Sequence, residues 1–117
     1  MSWKDYKDLL VWQKSMDLVD EVYYLINLLP ADEKFCLSDQ IRRSAVSIPS
    51  NIAEGQSRFS QNEFKRFLSI ARGSVSELET QILVSVRQNY FTEEKAKNAL
   101  LLCEDVRKML TKLMASI

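Results

Sequence analysis

The sequence predicts an all-α protein, four helices laid up-down-up-down in a bundle, and three observations predict it. Its 117 residues hold only two glycines and two prolines, too little turn chemistry for many strands. Apolar residues recur at steps of three and four through four separate segments, the spacing of one face of a helix. Helix punctuation falls between those segments, at Pro30, at Gly55 to Ser60, and at Asn89 to Thr92. An apolar content of 46% suits one core in one domain over residues 1–117.

In the first segment Leu9, Trp12, Met16, Val19, Tyr23 and Ile26 form a heptad seam, which predicts a helix from Tyr6 to Leu28. Lys14, Asp17, Asp20 and Glu21 form its solvated outer face. Pro30 ends the helix, Asp32 and Glu33 make a single turn, and Ser38 is the expected cap of the second helix, with Asp39 in its first turn.

The second helix, centred on QIRRSAVSIPSNIAEG (Gln40 to Gly55), organises the rest. Leu37, Ile41, Ala45, Ile48 and Ile52 give a buried face. Gln40, Arg43, Ser47, Asn51 and Glu54 give a polar stripe turned away from it. Pro49 lies inside the run, removes a backbone donor and crowds the Ala45 carbonyl, so the helix kinks or breaks there, at a cost of about 3 kcal/mol in an ordinary helix. Ser47, Ser50 and Asn51 are placed to satisfy the freed carbonyls. Gly55 is the expected C′ stop.

Ser60 and Glu63 spell a capping box and Phe59 with Phe64 a hydrophobic staple, so the third helix starts at Gln61. Its core positions are Phe64, Phe67, Leu68, Ala71, Val75, Leu78, Ile82 and Val86. On its back Ser69, Gly73, Ser76 and Thr80 align as a stripe of small residues, either a subunit contact or a polar surface. Arg72, Glu77 and Glu79 flank the stripe and are candidates for pairing with Arg42, Arg43, Arg58 or Glu54. Asn89 closes this helix and Thr92 with Glu93 and Glu94 opens the fourth, which runs on Ala96, Ala99, Cys103, Val106, Leu110, Leu113 and Ile117. Four helices of roughly 18 to 29 residues span about 27 to 44 Å at 1.5 Å per residue. Short connections set sequential helices antiparallel.

Three stretches carry a family resemblance: LLVWQKSMDLVDEVYYLINLLP, SIPSNIAEG and SRFSQNEFKRFLSIARGSVSELETQ. Together they are similar to the signature of the four-helix-bundle proteins first met in intervening sequences of bacterial 23S rRNA genes, over Asp8 to Tyr90. The resemblance implies a left-handed bundle that assembles as a ring, a homopentamer. That family also resembles the accessory protein of diversity-generating retroelements, a basic pentameric bundle that binds a reverse transcriptase and nucleic acid. No enzymatic activity comes with the resemblance.

The composition lacks the residues of the common catalytic and metal sites. Without histidine there is no di-iron bundle site of Glu-x-x-His pairs and no histidine-based acid–base site. Two distant cysteines, Cys36 and Cys103, make no zinc cluster and read as buried free thiols of a reducing cytosol. Nucleotide-cradling glycine loops are absent. Glu54, Glu77 and Glu79 are candidates for Mg²⁺ or a carboxylate pair, and more simply for ion pairs with nearby arginines. The expectation is a protein that is not an enzyme, with no cofactor and no catalytic or metal residues. The opening MSWKDYKDLL is no signal peptide and no run of 18 apolar residues occurs, so a cytoplasmic protein off the membrane is expected.

A binding surface remains. The formal charge is zero, but Met1 to Glu33 carries net −4 and Arg42 to Arg72 net +4. Arg58, Lys65 and Arg66 are read as exposed contacts for RNA or DNA; Arg42, Arg43 and Arg72 as contacts of that kind or as ion pairs between subunits. A protein partner docked on the kinked second helix is the rival reading.

Overall fold

The computed structural model describes residues 5–117. Met1 to Lys4, part of the stretch read for a leader, lie outside the described residues. Four α-helices make up the fold, α1 (Leu10–Ile26), α2 (Leu37–Gln56), α3 (Gln61–Arg87) and α4 (Glu93–Ala115), and no strand occurs among the described residues. The helices pack in a closed cycle: α1 on α2, α2 on α3, α3 on α4 and α4 on α1. Pairs along α2 and α3, Ser44 with Glu77 and Gly55 with Phe67, show these two helices running in opposite senses. Glu79 with Arg107 and Arg72 with Thr111 show the same for α3 and α4.

Local signals set most of the boundaries. Ser60 caps α3, its hydroxyl accepting the Glu63 N–H at 3.3 Å, and Thr92 caps α4 by accepting the Lys95 N–H at 3.2 Å. Asn89 closes α3 in the left-handed region, φ 64°. The Ala31–Glu33 turn follows Pro30 as expected. At one end of the bundle the Tyr90 hydroxyl donates to Glu33 Oε2 at 2.8 Å and ties the α1–α2 connection to the α3–α4 connection.

Four sequence expectations are corrected. The first helix does not start at Tyr6: a 3₁₀ turn, Tyr6–Asp8, capped by Asp5, is followed by an extended Leu9. Ser38 does not cap α2, which begins one residue before it. The N-terminal N–H of Leu37 is met instead by the Glu33 carboxylate at 3.4 Å, and an acid there also suits the helix dipole. Gly55 is no C′ stop: it sits inside α2 at negative φ, and α2 runs on to Gln56. A Cβ at Gly55 would lie 2.5 Å from Phe67 Cβ, so glycine is required by the close approach of α3. Cys36 is exposed at the start of α2, whereas Cys103 is buried.

The core confirms the expected faces of α2, α3 and α4 and rotates α1. Ile41, Ala45, Ile48 and Ile52 of α2, the expected residues of α3 from Phe64 to Ile82, and Ala96 to Leu110 of α4 are buried. Burial contributes roughly 1.5–3 kcal/mol for each large apolar side chain removed from water. In α1 the buried stripe is Val11, Ser15, Leu18, Val22 and Leu25, one residue away from the expected seam. The shift turns the helix by about 100°. Trp12 and Val19 keep partial cover at the edge of the core, while Met16 and Tyr23 are 40% and 44% exposed. The bulkiest side chains of α1 thus form a second apolar stripe beside the core.

Pro49 neither breaks α2 nor is exposed. Ser47 Oγ donates to the Ser44 carbonyl at 2.8 Å and Asn51 Nδ2 to the Ser47 carbonyl at 2.7 Å. These side chains serve the carbonyls flanking the proline site, not that of Ala45.

Candidate nucleic-acid interface

The joint between α2 and α3 gathers cations around one ring. Because Gly55 lets α3 come close, Phe67 is buried against the end of α2. The Arg58 guanidinium lies 5.2 Å and that of Arg66 4.6 Å from the centre of the Phe67 ring, so one aromatic side chain positions both cations. Each also binds a carboxylate on its own side of the joint, Arg58 to Glu54 at 2.9 Å and Arg66 to Glu63 at 2.9 Å. The Arg66 hydrogen bond holds the Glu63 carboxyl below the usual carboxylate range and raises Arg66 in turn. It also engages the acid that a complete capping box would have turned back to Ser60. Lys65, exposed on the next position of α3, makes no ion pair among the described residues. Phe59, between the helices, is 66% exposed and stands at φ 53°.

The other predicted basic residues are elsewhere. Arg42 and Arg43 share the Asp39 carboxylate near the start of α2, Arg43 Nε at 2.9 Å. They precede Arg58 by more than four helical turns, about 23 Å along the axis at 1.5 Å per residue. Arg72 faces α4 and donates to Thr111 Oγ1 at 3.3 Å. The +4 stretch therefore does not form one patch on a protomer. Within the protomer none of the pairings of Arg72, Glu77 and Glu79 with Arg42, Arg43, Arg58 or Glu54 is made among the described residues, and Arg58 pairs with Glu54 instead. Glu77 accepts the buried Ser44 hydroxyl at 3.0 Å, and Glu79 takes Arg107 of α4 at 3.1 Å. Arg107 was not singled out from the sequence, because only the α3–α4 packing brings it near.

The polar stripe of α2 serves its own helix: Ser47 and Asn51 bond to backbone, Glu54 to Arg58, and Gln40 is exposed. The small-residue stripe of α3 (Ser69, Gly73, Ser76 and Thr80) is exposed on the protomer, and a Cβ at Gly73 would meet nothing within 4 Å.

Two clefts flank these surfaces. One, about 290 Å³, lies between α1 and α2 and is walled by Trp12, Met16, Val19, Val46, Pro49 and Ala53. The other, about 660 Å³, lies between α3 and α4 and is lined by Leu83 and Leu101, by Glu79, Glu93, Glu94 and Glu104, and by Lys97 as the one cation. Those carboxylates make the larger cleft a poor place for a phosphate. No helix among the described residues is long and apolar enough to cross a membrane.

The sequence profile of the family described as 23S rRNA-intervening sequence protein matches residues 7–112. A crystal structure of a protein with unknown function from the S23 ribosomal protein family of Bacteroides thetaiotaomicron is similar to this chain. Its TM-score is 0.82 at 28% identity, over 90% of this chain and 98% of that one. Among curated proteins none matches.

Proposed function

This chain belongs to the 23S rRNA-intervening sequence protein family, and we propose from that premise that it is a non-enzymatic bundle, ring-forming and nucleic-acid-binding. In this reading the bundle is left-handed and up-down-up-down, five protomers close the ring, and the kinship with retroelement accessory proteins extends to a scaffolding role. The observation that carries the binding half is the Arg58–Phe67–Arg66 arrangement with Lys65 beside it. Its ion pairs are exposed pairs within one helix or its end, of a type worth about 0–1 kcal/mol, so phosphate oxygens can replace the carboxylates at little cost. Repetition around a ring multiplies the cations facing one strand.

Anisotropy titration of a labelled RNA across salt concentrations tests the binding. Affinity should fall linearly with salt on logarithmic axes, and Lys65→Gln should lower the slope by about one phosphate contact per protomer. Absence of binding at low salt removes the proposal.

A second reading, a protein-interaction module without nucleic acid, draws on the apolar α1–α2 cleft. Pull-down before and after nuclease treatment separates the two, since a partner held through nucleic acid is released.

A further inference from the structure

The α2–α3 joint presents a ring as well as charge. Among the described residues two non-glycine positions take positive φ, Asn89 and Phe59. Asparagine is the ordinary occupant of that conformation, because its short side chain bonds locally; a bulky aromatic is not. Phe59 is nevertheless held there, and its ring is 66% exposed. The staple position it occupies before Ser60 calls for an apolar side chain but not for a planar one. Its sequence neighbour Arg58 has a side chain 48% exposed, and Arg66, 56% exposed, shares the Phe67 ring with Arg58. An exposed ring at a joint that also holds two guanidiniums on Phe67 offers the two chemistries of a nucleotide, a face for the base and cations for the phosphate.

We propose that Phe59 is a stacking platform for an unpaired base, so that the joint takes a single strand in preference to a duplex. A duplex hides its base faces within its own stack and offers the joint only phosphates, whereas a single strand offers both. This rests on the nucleic-acid reading above and specifies its ligand.

The test compares one labelled RNA, single-stranded and annealed to its complement, on the full chain at low salt. The variants are Phe59→Leu, which keeps an apolar staple and loses the π-face, and Phe59→Trp, which keeps both. Unchanged thermal midpoints show that the variants fold. The wild type should bind the single strand more tightly. Phe59→Leu should lose roughly 5- to 150-fold on the single strand, the equivalent of 1–3 kcal/mol per stacked base, and nothing on the duplex. Phe59→Trp should bind as the wild type does. If Phe59→Leu binds the single strand normally, or if the wild type binds both RNAs equally, the stacking platform is overturned while the phosphate-binding reading stands. If neither RNA binds, both fall.

Discussion

Gly55 and Gly73 are the two glycines of the chain, and their surroundings differ in kind. A methyl group at Gly55 would collide with the Phe67 backbone-proximal carbon, while one at Gly73 enters open space. Gly55→Ala should therefore destabilise the protein by roughly 1–3 kcal/mol through overpacking. Gly73→Ala should stabilise the protomer by about 1 kcal/mol through helix propensity. Urea unfolding of both variants measures the contrast. The cysteines divide in the same way. A thiol reagent should label Cys36 on mixing and Cys103 only after unfolding. Burial pushes the Cys103 thiol up to about 12 from 9.0. Its folded pKa is the higher one, so its contribution is complete below pH 9 and stability falls as pH climbs from 9 toward 12. Cys103→Ala should flatten that alkaline limb of the pH–stability curve.

At the scale of elements, the caps act independently because they sit at different ends of different helices. Ser60→Ala and Thr92→Ala should each cost about 1 kcal/mol, and the double variant about the sum. Thermal or urea unfolding checks this; a strongly non-additive double variant would mean that the two connections communicate. Both caps, the α3 start and the Asn89 stop were legible because each is written within a few consecutive residues. The α1 rotation was not. Its Trp, Met and Tyr residues spell a convincing seam, but a helix with two neighbouring apolar stripes can bury either one. Val11, Ser15, Leu18, Val22 and Leu25 are smaller on average and fill the interior beside α2 and α4, which leaves the bulkier stripe at the edge.

For the whole molecule the displaced stripe bears on assembly. Met16, which lines the α1–α2 cleft, and Tyr23, two turns along the same stripe, are exposed on the protomer, so charged substitutions there leave its core untouched. Five protomers of 13.6 kDa make a 68 kDa ring. Light scattering should find the ring for wild type and a 13.6 kDa particle for Met16→Glu, if the cleft is the subunit contact. Gly73→Leu tests the small-residue stripe on α3 in the same way, and the two variants together identify which surface is covered. A wild-type particle of 13.6 kDa at micromolar concentration would refute the ring itself.

By itself the sequence determined four helices, most of their ends and the buried faces of α2, α3 and α4, because periodicity and capping are properties of short stretches. Tertiary structure alone decided which stripe of α1 is interior, why Gly55 must be glycine, that Glu79 meets Arg107, and that Arg58 and Arg66 share the Phe67 ring. Each of these depends on contacts between residues far apart in the chain. Their energies are set by how closely two helices approach, and spacing along one helix carries no record of that distance.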